Sequence, residues 1–237
     1  MAAVRDVVLV HGAWHGAWCW RRVLPLLAAG GARAVTVSLT GVGEKAHLLG
    51  SQVRLATHVE DVVAVVRAEE CSGAVLVGHS YGGVPVTGAA DLLGDAVGPL
   101  VYVDAVVPAP GECWSSLSPP EVQASRRELI AATGALPPPP ASAFGLTGAD
   151  AAWVDRRQTA HPGGVYDDPL HFDADRWAAR RRTYLDCTDP PLASIDPSRA
   201  RVRGQQGWEV VQLATGHDPM VSDPAALAEQ LLRVAAG

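Results

Sequence analysis

Little in this sequence is cationic, sulfur-bearing or continuously apolar. Among 237 residues Lys45 is the only lysine, and 19 Lys and Arg against 25 Asp and Glu leave a formal charge of -6. Without a basic excess there is no electrostatic footprint for a nucleic-acid backbone, so no nucleic-acid partner is expected. No apolar stretch approaches the roughly 20 residues needed to span a bilayer, and no membrane partner is expected either. The opening residues Met1-Ala2-Ala3-Val4-Arg5-Asp6 lack the apolar core of a secretory signal and lead straight into a strand, which predicts a cytoplasmic location. Cys19, Cys71, Cys113 and Cys187 lie far apart, with no C-x-x-C pair and no zinc-like grouping. Free thiols are expected, with no metal and no cofactor. The single lysine, beside plentiful arginine and an Ala, Gly and Val bias, reflects coding composition and carries no mechanism. There are no internal repeats, and no determinant of oligomeric state, a homodimer included.

What is present is apolar material arranged in short runs. With 48% hydrophobic residues the chain can fill one large α/β core with a lid. Val7-Val8-Leu9-Val10, Ala34 to Leu39, Ala74-Val75-Leu76-Val77, Leu100 to Val103, Thr183 to Leu185 and Val210 to Leu213 read as strands buried on both faces. Between them, apolar residues at helical spacing predict helices over Trp20 to Ala29, Thr57 to Glu69, Gly83 to Leu93 and Pro224 to Ala235. The alternation breaks from about Val107 to Arg180, a stretch rich in Pro, Trp and polar residues, and then resumes. The expected organisation is a mostly parallel sheet flanked by helices: a first core segment over 1-106, a cap over 107-180 and a second core segment over 181-237. Pro137-Pro138-Pro139-Pro140 reads as a stiff surface connector.

The strongest chemical signal is Gly78-His79-Ser80-Tyr81-Gly82, set directly between a strand and a helix. That is a G-x-S-x-G nucleophile elbow in the context it needs. A side chain at either glycine would collide with a neighbouring element, and the turn lifts the serine hydroxyl out of the sheet. A serine hydroxyl is a poor nucleophile at neutral pH and needs a base within hydrogen-bond reach. His217, in Ala214-Thr215-Gly216-His217-Asp218 just past the last strand, is the expected base. His161 and His171 lie in the cap, where substrate contact or surface exposure is expected of them. His58 is expected to open a helix, and His47 to sit in a loop. A regular elbow would point His79 away from the nucleophile. The oxyanion hole is expected from the backbone N–H groups of Tyr81 and of Ala13, in the turn after the first strand. Gly12 of that turn is a candidate for lining the substrate site because its small size lets a carbonyl approach; Trp14, Trp18 and Trp20 are expected to pack the turn, with a substrate-facing role kept open for Trp14.

These motifs resemble the α/β-hydrolase family of plant hydroxynitrile lyases and methyl-ester hydrolases, with its bacterial esterase relatives. The resemblance rests on Val8 to Trp20, Leu39 to Leu48, Leu76 to Gly83 and Gly216-His217-Asp218, and covers nearly the whole chain. It implies an α/β-hydrolase fold that begins at the third strand of the usual eight, with a small helical cap. Lyase members carry a hydroxyl side chain just after the first-strand histidine and a lysine just after the catalytic histidine. Gly12 and Asp218 stand there, which favours the ester-cleaving branch. The family's usual acid position, three residues beyond the cysteine of the strand read at Thr183 to Leu185, is held by Pro190. The leading alternatives are Asp104, at the end of the strand after the elbow, and Asp189, one residue early; Asp186 and Asp196 stand behind them.

The expected function is a metal-independent serine hydrolase that cleaves an ester, thioester or lactone of a small hydrophobic molecule through an acyl-enzyme. Two alternatives stay beside it: a tailoring hydrolase, cyclase or lyase of secondary metabolism, and a non-hydrolytic protein that binds a small molecule on the same fold. Cap aromatics Trp114, Phe144, Trp153, Tyr166, Phe172 and Trp177 suit either a bulky apolar substrate or ordinary packing.

Overall fold

The computed structural model describes residues 5–237, so the reading of Met1 to Val4 lies outside the described residues. Four strands come first, β1 (Val7–Val10), β2 (Ala34–Val37), β3 (Ala74–His79) and β4 (Val97–Val103). Two-residue strands β5 (Ala135–Leu136) and β6 (His161–Pro162) pair antiparallel with each other, away from the main sheet. β7 (Arg182–Cys187) and β8 (Trp208–Leu213) complete a six-stranded sheet of order β2-β1-β3-β4-β7-β8, parallel throughout. Helices α1 (Leu24–Ala29), α2 (Leu55–Ala68) and α3 (Gly83–Leu93) connect the first strands. α4 (Pro120–Thr133), α5 (Gly148–Asp155) and α6 (Ala174–Ala178) belong to the stretch between β4 and β7. α7 (Asp196–Gly204), α8 (Pro219–Ser222) and α9 (Pro224–Ala236) follow.

Successive strand side chains point to opposite faces, and here both faces are covered. Val8, Val10 and Leu76 enter one core layer; Val7, Leu9, Val75 and Val77 enter the other. That is why these strands read as unbroken apolar runs rather than as alternating ones. Helix α3, which carries the elbow's far side, is buried from Gly83 through Ala90 and sits inside the fold rather than on its surface.

The helix expected over Trp20 to Ala29 is in fact two pieces, a 3-10 segment over Ala17–Arg22 and then α1. Pro25 explains the break: it has no N–H to give, so it fits only in a first turn and the α-helix must begin there. Helix α2 starts at Leu55, two residues before the expected Thr57. Thr57 is its third residue, and its hydroxyl accepts a hydrogen bond from the Arg54 backbone N–H at 3.2 Å. The proline run joins β5 to the next turn, but Pro139 also lines the cavity at Ser80. Among the described residues no helix is long and apolar enough to cross a membrane.

Candidate active site

Ser80 follows β3 directly and takes a left-handed backbone, φ +52. For a residue with a Cβ this conformation costs energy, and it persists because both sides of the turn are fixed. A Cβ added at Gly78 would lie 2.7 Å from the Gly82 carbonyl oxygen; one added at Gly82 would lie 2.6 Å from the His11 carbonyl oxygen. The two glycines therefore let helix α3 and strand β1 close on the turn from either side. Gly12 lies behind the nucleophile in the same way, 2.7 Å from its Cβ to the Ser80 Cβ were it alanine.

His217 Nε2 lies 3.0 Å from the Ser80 hydroxyl, and its Nδ1 lies 2.7 Å from Asp104 Oδ2. A carboxylate only accepts, so His217 donates Nδ1–H to Asp104 and its Nε2 is the free lone pair that accepts from the Ser80 O–H. Asp104 is fully buried and comes one residue beyond the end of β4, again with a left-handed backbone, φ +42. Its other oxygen accepts from Arg199 Nη2 at 2.7 Å. Arg199 is a site residue that the sequence did not reveal. All five of its donors are used, on Asp104, Asp186, Asp196 and the carbonyls of Cys187 and Leu192. It neutralises the buried Asp104 without occupying the oxygen that faces His217.

The other carboxylates considered as the acid do not contact His217 among the described residues. Asp189 is exposed, its backbone N–H is tied to the Thr215 carbonyl at 3.0 Å, and its side chain makes no hydrogen bond among the described residues. Asp186 is buried but engaged by Arg199 and Arg203. Asp196 is exposed beside Arg199.

Tyr81, the residue after the nucleophile, is buried at the start of the elbow's helical turn, where backbone N–H groups lack intrahelical partners. Ala13 is also buried, and its N–H meets no acceptor among the described residues. A cavity of about 220 Å³ opens in front of Ser80 and His217, walled by Trp14, Trp114, Phe144, Leu117 and Ile195 among others. Trp14 thus faces the site as well as packing the turn. Its backbone is left-handed, φ +65, and its indole N–H donates to the Leu136 carbonyl at 3.0 Å, tying β1's turn to the cap. Of the cap aromatics only Trp114 and Phe144 line this cavity; Phe172 and Trp177 pack against each other elsewhere. A larger groove of about 360 Å³, beside Leu55, Leu92 and His171, contains no member of the Ser80 cluster.

The histidines depart most from expectation. His161 is fully buried, neither exposed nor on the substrate cavity; its Nδ1 accepts from the Trp14 backbone N–H at 3.4 Å. His58 is the fourth residue of α2, not its opening, and bonds the Thr40 carbonyl and the Tyr81 hydroxyl. His79 is turned from the Ser80 hydroxyl but packs under His217, ring centroids 4.8 Å apart, and donates Nε2–H to the His217 carbonyl at 2.9 Å. Beneath it lies Asp218, fully buried, 3.4 Å from His79 Nε2 and 3.3 Å from His15 Nε2. His15 also donates Nδ1–H to the Ala13 carbonyl at 2.8 Å. Burial alone would lower His15, but the charge and hydrogen bond of Asp218 outweigh it and raise its pKa. Burial alone would raise Asp218, yet the charge and hydrogen bond of His15 lead the effects that hold it down to about 2. An Asp218–His15 ion pair therefore fastens the loop of His217 to the turn of Ala13. Ligand atoms of His79, His217 and Asp218 lie within 4.8 Å of one another. Both His217 nitrogens are already committed to Ser80 and Asp104, so a metal held there would dismantle that chain of bonds.

Burial lowers four histidines: His11 to about 3, His79 and His161 well below the ordinary value, and His58 below it. A histidine that binds a proton when unfolded but not when folded takes away about 1.4 kcal/mol of stability per pH unit below its ordinary pKa of about 6.5. His15 works oppositely: its contribution is complete below about 6.5 and fades as pH rises through its raised value. Four against one sets the sign. Stability is expected to fall by roughly a few kcal/mol between pH 6.5 and 5. Urea unfolding at pH 7, 6 and 5 checks this, and an unchanged midpoint across that range would refute it.

The chain matches the alpha/beta hydrolase family over residues 7–230. It is 40% identical over 241 residues to a carbendazim-hydrolysing esterase of a Nocardioides species, covering 95% of this chain and 98% of that one. It is 27% identical over 256 residues to methylesterase 3 of Arabidopsis thaliana, covering 98% of this chain and 96% of that one. Among solved structures, an extracellular α/β-hydrolase from a Paenibacillus species superposes with a TM-score of 0.83 at 21% identity, covering 98% of this chain and 99% of that one.

Proposed function

This chain belongs to the alpha/beta hydrolase family and is a carboxylic ester hydrolase, and from that premise we propose that it works as a serine esterase through an acyl-enzyme. In this reading His217 Nε2 takes the proton of Ser80 as its oxygen attacks the ester carbonyl. The oxyanion rests on the N–H groups of Ala13 and Tyr81. His217 then gives its proton to the departing alcohol, and next takes one from the water that releases the acid. Asp104 fixes the imidazole with Nδ1–H and stabilises the imidazolium, while Arg199 holds the other Asp104 oxygen at 2.7 Å. Trp14 forms one wall of the substrate site, and Gly12 leaves room behind Ser80 for the carbonyl.

The observation that carries this reading is the unbroken chain Ser80–His217–Asp104, with links of 3.0 and 2.7 Å. The size of the cavity favours short acyl groups. Hydrolysis of p-nitrophenyl esters of increasing chain length is expected to peak at short chains, and a fluorophosphonate is expected to add one covalent group, on Ser80. Folded protein that turns over none of these esters and takes up no phosphonate would instead point to a protein that binds its ligand without cleaving it.

A further inference from the structure

Arg126 is the one charged side chain in the wall of the catalytic cavity outside the reacting groups. It comes from the cap helix α4 and is half-buried. Its neighbour Arg127 shows what an arginine on this helix does when a carboxylate is near: it grips Asp167 with two hydrogen bonds of 2.9 Å. Arg126 makes no ion pair or hydrogen bond among the described residues. Its guanidinium lies over the rings of Trp114 and Tyr166 instead, 5.5 and 5.6 Å from their centroids.

Stacking uses the face of a guanidinium and leaves the N–H fork at its edge available. The two rings hold that fork in place, so little side-chain freedom is lost when it binds. Trp114 also contacts Trp14 and Tyr81, the latter with ring centroids 4.8 Å apart, so the platform under Arg126 is continuous with the elbow. Among the described residues no Asp or Glu lines the cavity to compete for the fork or to repel an anion. In a chain of charge -6, a stacked cation without an ion-pair partner among the described residues, on the wall of an otherwise apolar and hydroxyl-lined cavity, suits an anion.

Resting on the serine-esterase reading, we propose that Arg126 binds a free carboxylate of the substrate, so that the preferred substrates are half-esters of small dicarboxylic acids. The scissile carbonyl would sit at Ser80 and the second carboxylate, some bonds away, at the guanidinium.

The test compares kcat/KM for mono-p-nitrophenyl succinate, glutarate and adipate with the neutral p-nitrophenyl esters of matched chain length. At least one half-ester is expected to be preferred by about tenfold or more, the scale of a charge-assisted hydrogen bond. Arg126→Met keeps the apolar stem over Trp114 and removes the charge. It is expected to erase that preference through KM, and Arg126→Lys to restore part of it. A wild type that favours no half-ester, or a preference ratio unchanged in Arg126→Met, would overturn the proposal. Calorimetric binding of monomethyl glutarate to Ser80→Ala protein separates the two readings. Binding weakened about tenfold or more by Arg126→Met upholds the carboxylate site even if no ester is cleaved, and binding indifferent to Arg126 rejects it even if esters are.

Discussion

Ser80→Ala protein is expected to fold like its parent and to hydrolyse esters about a million-fold more slowly, the loss typical when a nucleophile is removed from an intact set of catalytic groups. The fold should be spared for a local reason. Alanine keeps the Cβ, so the φ of +52 is no more strained than before, and the lost hydroxyl had one side-chain partner, His217 Nε2. His217 stays anchored through Nδ1 to Asp104 and through its backbone N–H to the Phe144 carbonyl. The residual rate, still above that in water, would come from the oxyanion donors and from binding. The measurement is a rate on a short p-nitrophenyl ester, with a thermal melt and phosphonate labelling run on the same sample. A variant that keeps more than about one hundredth of the parent rate while refusing the phosphonate would mean another group attacks the ester.

The second large effect is at the acid. Asp104→Asn should lower kcat by about 10³- to 10⁴-fold, while Asp189→Asn should stay close to the parent. The amide offers His217 an N–H where a carboxylate accepted one. The ring is then held in the tautomer with its proton on Nε2, where it can no longer accept from Ser80. The loss should appear in kcat more than in KM, because Asp104 lies behind His217 and does not line the cavity. Stability should fall too, by about 1–3 kcal/mol, because Arg199 loses one of its anions in a buried setting. Rates are therefore to be read well below the melting temperature of the variant. If Asp189→Asn proves the more damaging of the two, the assignment of the acid is wrong.

The elbow was legible because it is local: five residues, a strand before and a helix after. Gly83 to Leu93 was readable as a helix for the same reason, and its observed limits are those residues. His217 was readable from its place behind a glycine after the last strand. Asp104 could be named only by combining Pro190 at the usual position with the cost of leaving a carboxylate bare at the end of a buried strand. Arg199 could not be named. It lies on α7, whose Asp196-Pro197-Ser198-Arg199-Ala200-Arg201-Val202-Arg203 pattern reads as a solvated face, and its meeting with Asp104 is tertiary. The cluster of His15, His79 and Asp218 was invisible for a similar cause: each belongs to a different motif, and only the closed sheet brings the three turns together. His161 was misread because the irregular stretch between β4 and β7 offers no periodicity from which burial can be inferred.

Strands β3 and β4 are adjacent and hydrogen-bonded, and His79 pairs with Val103 at the end of their ladder. Ser80 and Asp104 are each the next residue, and each leaves its strand through a left-handed turn. Ser80 and Asp104 are therefore mounted side by side on one rigid rail, with the Ser80 carbonyl further pinned by the Val106 N–H at 2.9 Å. His217 alone of the three comes from elsewhere, on the loop after β8, two strands beyond β4. Much of the cavity wall, Trp114, Arg126 and Phe144 included, comes from the stretch between β4 and β7. On the proposed mechanism, bond-breaking and substrate choice are thus carried on separable parts. A chain built this way can be reshaped for a new ester, by selection or by an engineer, through exchange of that stretch while the spacing of serine and acid stays as it was.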